Sequence, residues 1–125
     1  MDIDWIRRYC QSLPKTTETV QWGSDLVFKV GGKMYAVAAL EPGDHWLSFK
    51  CTPEGFAELV ERPGIIPAPY LARAHWVALE AAEPLPRVEI KRLVRQAYDL
   101  VVGKLPKKAQ KEILSQRRQE RQETP

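Results

Sequence analysis

Two segments of alternating apolar and polar residues flank the pair Gly31-Gly32, and this pattern constrains the fold more than any other feature of the sequence. Apolar side chains recur at every second position from Leu26 to Val30 and again within 33–40. A period of two is typical of a β-strand, and two glycines between such segments favour a tight turn. The sequence therefore predicts an antiparallel hairpin. A turn at 41–44 leads into a third strand, 45–51, which extends the hairpin into a meander.

Helical periodicity surrounds this meander. Apolar residues spaced by three and four predict a first helix that ends at Leu13-Pro14, a short helix that Thr52 caps, and a long helix between Pro86 and Gly103. A short strand at 19–22, a strand at 75–80 and a last helix from Pro106 complete the order. We expect an α+β fold, a two-layer sandwich whose helices pack on one face of a mostly antiparallel sheet. The other face would remain free.

The chain has the size and composition of one domain. Its 125 residues are 44% apolar and 28% charged, which excludes wholesale disorder. We expect a single domain over 1–114 and a charged, flexible tail over 115–125, where apolar residues vanish. No apolar run is long enough to span a membrane, and the acidic start of the chain is unlike an export signal. The sequence thus predicts a cytoplasmic protein that does not enter membranes.

Patterns typical of catalytic or cofactor sites are absent from the sequence. Gly31-Gly32 lies between two strands, which is unlike a phosphate-binding loop. Cys10 and Cys51 have no ligand-type spacing and are interpreted as core thiols, and His45 and His75 as isolated strand residues. We expect no catalytic residue, no metal and no cofactor, and therefore a protein that is not an enzyme.

The alternation of the strands predicts which side chains share the free face of the sheet. In each predicted strand, every second residue is apolar and is expected to face the core. The residues between them would face the opposite side, and six of these are Lys29, Lys33, Tyr35, Trp46, Ser48 and Lys50. Lysines interleaved with aromatic residues are suited to nucleic acid, because ammonium groups pair with phosphates and rings stack on bases. The alternative is an ordinary exposed sheet face, and a register error of one residue would reverse the assignment.

A second group of basic residues follows the long helix. Of the net charge of +3, residues 104–125 carry +4, from seven Lys or Arg against three Glu. Four of these residues precede position 112 and could hold a phosphate backbone: Lys104, Lys107, Lys108 and Lys111. The group continues with Arg117, Arg118 and Arg121. The alternative is a solvated helix whose charges serve solubility.

Two separated motifs indicate a family. Trp22-Gly23 followed by Phe28–Ala36, and later Pro63–Tyr70 leading to His75–Val77, resemble the MmcQ/YjbR family of small bacterial proteins over roughly residues 1 to 105. The resemblance implies a YjbR-like α+β sandwich, related to secretion chaperones and to the frataxin-like CyaY shape, and a family commonly labelled DNA-binding. It brings no catalytic residues.

The motif positions carried over to this chain are Trp22, Gly23, Phe28, Lys29, Gly32, Lys33, Pro67, Tyr70 and Trp76. Lys29, Lys33, Tyr70 and Trp76 are the better candidates for contact with a partner. The leading hypothesis is a DNA-binding or other nucleic-acid-binding domain in which lysines hold phosphates and aromatic residues stack. Two alternatives remain: a protein-interaction module, dimeric in one version, that uses the open sheet, and a small-molecule binder in a groove between the proline-rich loop and the sheet. The latter requires a defined pocket with convergent polar groups.

Overall fold

The structure, a computed structural model, describes the backbone of residues 3–80 and 85–123 and the side chains of that part up to residue 116. A six-stranded antiparallel sheet has the strand order β1-β2-β3-β4-β6-β5. The elements along the chain are α1 (Asp4–Ser12), β1 (Thr16–Gln21), β2 (Asp25–Val30), β3 (Lys33–Ala39), β4 (Leu47–Lys50), α2 (Pro53–Leu59), β5 (Ile65–Pro67), a 3₁₀ turn (Ala72–Ala74), β6 (Trp76–Leu79), α3 (Arg87–Val102) and α4 (Lys107–Glu123).

The helices pack on one face of this sheet, which confirms the predicted α+β two-layer sandwich. The apolar stripe of α3 is buried against the core side chains of β2, β3 and β4, and α1 contributes Ile6 and Cys10. The Thr52 hydroxyl accepts a hydrogen bond of 2.9 Å from the Gly55 amide and caps α2, as the sequence predicts. The opposite face, here called the open face, carries no helix of the described chain.

The predicted hairpin joins β2 to β3 through Gly31 and Gly32. Both glycines have positive φ, 60° and 80°, the conformation that a two-residue turn between strands requires. Gly31 is also fixed by a close approach, since a Cβ added there would lie 2.6 Å from Cδ2 of Leu105. The start of α4 is thereby held against the hairpin end of the sheet.

A β-bulge changes the register of β3. Phe28 pairs with Ala36, but the next residue of β2, Lys29, pairs with Met34, so Tyr35 is an extra residue on β3. The bulge turns Tyr35 into the core and places Met34 on the open face. The face predictions for these two residues are therefore wrong, because a strict period of two fails at a bulge.

A proline-rich segment covers part of the open face. Ile65–Pro67 forms the edge strand β5, a position that tolerates proline, and the chain then turns over the sheet. A second, smaller apolar cluster forms beneath it, with buried Ala68, Trp76 and Ala78 at its centre and partly buried Met34, Val37, Ile66 and Leu71 around them.

The last helix is longer than the sequence predicts. Leu105 and Ile113 are buried in the core and Ala109 packs against it, as their spacing of four predicts, but α4 continues to Glu123. The division of the chain at residue 114 stays a prediction. Within the described residues no helix has the length and apolar character that crossing a bilayer demands.

Candidate binding groove on the open sheet face

A groove lies on the open face between the β1–β2 turn and the segment that follows β5. Its volume is about 470 Å³, within the range of roughly 300–1,000 Å³ typical of small-ligand pockets. Strands β2, β3 and β4 form the floor, where Met34 and Val37 are half-buried. The lining residues are Trp22, Asp25, Met34, Val37, His45, Ser48, Ala68, Pro69, Tyr70 and Leu71.

Two exposed aromatic residues line this groove from different segments. Trp22 lies in the turn after β1 and is 66% exposed, whereas Tyr70 lies after β5 and is fully exposed. Both are non-glycine residues with left-handed backbones, with φ of 52° and 66°. This conformation costs a bulky residue about 1–2 kcal/mol. Neither ring is buried in the core, so the fold itself gains little from placing aromatic side chains there.

Three polar side chains also line the groove. Ser48 is 6% exposed, and Asp25 and His45 are partly buried. Within the described part of the chain, none of the three side chains makes a hydrogen bond or ion pair with another residue. The groove therefore combines apolar and aromatic walls with a few polar groups that are available to a ligand.

Lysines gather where the sheet ends at the β2–β3 hairpin. Lys29 and Lys50 belong to the open face, because they pair with Met34 and Trp76 of that face, and they lie two strands or roughly 10 Å apart. Lys33 begins β3, and Lys104 immediately precedes Leu105, which lies against Gly31. We call these four lysines the basic end: Lys29, Lys33, Lys50 and Lys104.

The electrostatics of Lys50 show how crowded the basic end is. Burial lowers the pKa of Lys50, and the charge of Lys104 lowers this pKa further. Its ammonium group donates a hydrogen bond of 3.1 Å to the carbonyl of Ala74, in the 3₁₀ turn. Two cations that repel each other at the surface form a suitable site for an anion.

The structure removes three aromatic residues from the predicted contact surface. Tyr35 is fully buried, with its ring edge-on to Tyr98 and its hydroxyl 2.9 Å from Oγ1 of Thr16. Trp76 is 4% exposed beneath the proline-rich segment, and Trp46 packs in the core against Trp5. The predicted exposure of these rings is wrong: the bulge buries Tyr35, the proline-rich segment covers Trp76, and Trp46 lies on the helical side of the sheet.

The predicted lysines are divided between two places. Lys29 and Lys50 are on the open face as expected, but Lys33 pairs with Val30, whose side chain faces the core, so Lys33 belongs to the exposed rim of the helical side. On α4 and just before it, Lys104, Lys107, Lys108 and Lys111 are all exposed. The side chains of Arg117, Arg118 and Arg121 lie outside the described ones.

The thiols have the environment that the sequence predicts. Cys10 and Cys51 are unpaired and buried, and burial raises the pKa of each thiol to about 12. Cys51 is therefore protonated near neutral pH and unsuited to nucleophilic attack. No group of three or more metal-ligating side chains occurs within the described residues.

Several groove residues escape sequence reasoning. The sequence pattern predicts that Met34 lies in the core and that His45 is an isolated strand residue, and it indicates no role for Asp25. The signal for Asp25 was its position two residues after Trp22-Gly23, on the face of β2 that also holds Lys29. For Met34 no local signal exists, because only the bulge at Tyr35 brings it to the groove.

The fold and the groove define the protein as an α+β sandwich with one partly covered sheet face. Comparison with known proteins identifies the family within this class. The model of the YjbR family matches residues 11–100. This match spans most of the chain and includes Trp22, Asp25, Tyr70 and the sheet between them. The chain belongs to the YjbR family, as the two motifs suggest.

Individual relatives support this assignment. The chain is 27% identical over 90 residues to the protein YbdF of Escherichia coli O157:H7, with 70% of this chain and 72% of that protein covered. The crystal structure of protein DR2400 of Deinococcus radiodurans, a domain of family DUF419, matches with a TM-score of 0.80 and 34% identity over 89% of this chain and 86% of that one. The crystal structure of a Pseudomonas syringae protein matches with a TM-score of 0.66 and 25% identity, and the match covers 81% of this chain and 99% of that one.

Proposed function

We propose that the protein is a non-enzymatic, cytoplasmic domain that binds single-stranded nucleic acid across the open face of its sheet. The observation that carries this proposal is the juxtaposition, on the open face, of an aromatic-walled groove with Lys29 and Lys50, with Lys104 close to Lys50. Bases would stack on Trp22 and Tyr70, and phosphates would pair with the lysines.

The aromatic part of the surface favours single strands over duplex. Stacking on a side chain requires an unstacked base, which a single strand offers at little cost, and each stack contributes about 1–3 kcal/mol. Trp22 and Tyr70 are exposed without a ligand, so they do not have to leave the core to make this contact. The groove, with a volume of about 470 Å³, has room for a base with its sugar but not for a duplex.

The basic end supplies the attraction for the backbone. The repulsion that Lys104 exerts on Lys50 would be relieved by a phosphate placed near both ammonium groups. Lys29 lies on the other side of β3 from Lys50. A nucleic-acid strand that crosses the sheet would therefore contact both lysines. Lys107, Lys108 and Lys111 extend the positive surface along α4.

Fluorescence anisotropy of labelled oligonucleotides, at about 50 and about 200 mM salt, tests the proposal. We expect salt-sensitive binding that is tighter for single strands than for duplex of the same sequence. In the Lys29→Ala, Lys104→Ala double variant, the slope of log affinity against log salt should fall by about 1.4, since each phosphate contact to a single strand contributes roughly 0.7.

The matched control replaces two exposed arginines of the helical layer, Arg8 and Arg92, by alanine. This double variant has the same net charge as the lysine variant, and its affinity should stay close to that of the unaltered protein. Equal losses of affinity in the two double variants would show that binding depends on overall charge and not on the positions of Lys29 and Lys104. No binding at either salt by the folded protein would contradict the proposal.

A protein-interaction role is the second candidate, and one corner of the sheet favours it. Val20, Trp22 and Leu40 are exposed apolar residues, and the amide of Leu40 bonds to the carbonyl of Ser24 next to the turn that holds Trp22. Strand β1 is also a free edge of the sheet, which can accept a further strand. Association of this kind should change little with salt, and concentration-dependent light scattering would detect a dimer.

A further inference from the structure

The three polar side chains that line the groove restrict what it can bind. The Asp25 carboxylate accepts hydrogen bonds and repels anions, the Ser48 hydroxyl can donate or accept, and the His45 ring can do both. None of these side chains has a partner within the described chain. Because a partly buried carboxylate without a partner is costly, a ligand that donates hydrogen bonds to Asp25 is favoured.

The walls and the floor favour a flat ring. Trp22 and Tyr70 offer aromatic surfaces, and Met34 and Val37 provide an apolar floor with a sulfur atom that suits contact with an aromatic ring. A volume of about 470 Å³ is sufficient for a one-ring or two-ring heterocycle with an attached sugar. Strained backbones at non-glycine residues cluster at ligand clamps, and two of the four non-glycine residues with positive φ in the described chain line this groove.

We propose that the groove is a binding site for a planar heteroaromatic ring that carries an amino group, of the kind found in adenine and cytosine, with the amino group donating to Asp25 and the ring held against Trp22 and Tyr70. Uracil and thymine have a carbonyl where cytosine has its amino group, so at that position the carboxylate would meet a second acceptor in place of a donor. The site therefore discriminates between nucleobases by hydrogen-bond polarity.

The ring can come from two sources, and the sheet accommodates both. A free nucleoside or nucleotide would occupy the groove alone. A base of a single-stranded nucleic acid could also occupy the groove, with its backbone phosphate directed toward Lys29. Lys29 lies on the same face of β2 as Asp25, four residues or roughly 13 Å along the strand. The inference goes beyond the proposed function, because recognition of the free ring does not need the lysines.

The first arm of the test uses free ligands. Saturation-transfer NMR with adenosine, cytidine and uridine at neutral pH should show transfer to the adenine and cytosine ring protons, and a signal at least about fivefold weaker for uridine, the size of effect expected when one hydrogen bond is replaced by an acceptor pair. The nearly isosteric Asp25→Asn variant should lose this preference, because an amide both donates and accepts. The matched control, Asp44→Asn, alters an exposed acid of the β3–β4 loop outside the groove lining and should keep it.

The second arm uses cytosine and thymine homo-oligonucleotides of about 12 nucleotides, a length within the range of single-strand sites. A cytosine preference that Asp25→Asn abolishes, without binding of free nucleosides, would support the ring site with a strand as its source. Binding of free nucleosides but not of oligonucleotides would support the ring site, with a free ligand as the source of the ring. This result would contradict only the nucleic-acid function.

Two results would overturn the inference. Equal binding of amino-bearing and carbonyl-bearing rings in both arms would remove the role of Asp25, as would an unchanged preference in Asp25→Asn. Absence of binding to nucleosides and oligonucleotides alike, by protein whose folding circular dichroism verifies, would remove the site itself. The Trp22→Gly variant, which suits a positive φ, provides a folded protein without one aromatic wall and should bind neither ring class.

Discussion

The hydroxyl of Tyr98, on α3, donates a hydrogen bond of 2.7 Å to the carbonyl of Pro14, in the connection between α1 and β1. The two residues are 84 positions apart in the chain, and Tyr98 is fully buried. This bond ties the long helix to the start of the sheet. It also satisfies the Pro14 carbonyl, which belongs to neither α1 nor β1.

The Tyr98→Phe variant should be less stable because the Pro14 carbonyl would lose this donor while the packing of the ring is kept. We expect the free energy of unfolding to fall by about 1–2 kcal/mol, measured by urea denaturation. Tyr9→Phe is the matched control, since Tyr9 lies half-exposed on α1 beneath the ammonium group of Lys91. Equal effects of the two substitutions would show that the Tyr98 hydroxyl contributes nothing specific.

The ion pair between Arg7 of α1 and Glu18 of β1 predicts a pH dependence. Hydrogen bonds from the Arg7 guanidinium, 3.1 Å from Nε to each carboxylate oxygen, hold the pKa of Glu18 below its ordinary value of 4.5. A lowered carboxylate pKa stabilises the folded state above pH 4.5, and this contribution is lost as the pH falls through the folded-state pKa. Because the pair is partly exposed and screened by water, its contribution to the free energy of unfolding is small.

Urea denaturation of the Glu18→Gln variant at two pH values therefore tests this dependence. The variant should be less stable than the unaltered protein at pH 7, and the difference should shrink as the pH falls below 4.5 and through the folded-state pKa of Glu18. Glu41→Gln, in the exposed β3–β4 loop, should show no such dependence. A difference that stays constant from pH 7 to pH 3 would contradict the assigned role of the ion pair.

The two buried thiols should be unreactive in the folded protein. With a pKa of about 12, each thiol of Cys10 and Cys51 is almost entirely protonated at pH 8, and neither is accessible. A disulfide reagent that reports thiolate should titrate neither thiol in buffer and both in urea, where their pKa values return toward 8.5. Rapid modification of either thiol in the native state would contradict this prediction.

The fold could be predicted because its signals are local. The alternation in β2, the glycine pair and the helical stripe of α3 each act within one element, and all three lead to the observed structure. The bulge at Tyr35 has no such signal. It is stabilised by distant groups, since the Tyr35 hydroxyl reaches Thr16 of β1 and the carbonyl of Cys10 in α1.

The groove was harder to predict because two distant segments form it. Trp22 follows β1 and Tyr70 follows β5, and only the path of the proline-rich segment over the sheet brings both to one cavity. The sequence names Tyr70 as a candidate for contact with a partner, and Tyr70 is fully exposed. The sequence could not predict that the same segment buries Trp76, because the pattern of a strand does not show which distant segment covers its face.

Replacement of both exposed aromatic residues by glycine should separate stability from binding. Relief of the left-handed strain at Trp22 and Tyr70 contributes about 1 kcal/mol per site, and the greater freedom of glycine in the unfolded chain offsets about 0.5–1 kcal/mol of it. Because neither ring is buried in the core, the melting temperature of the double variant should stay within a few degrees of the unaltered protein. Oligonucleotide affinity should fall by at least about tenfold, the loss expected when at least one stacking contact is removed. The control, Val88→Ala, changes an exposed apolar residue on α3 and should alter neither property. A large loss of stability with unchanged affinity would make both rings structural, and the groove would then need another occupant.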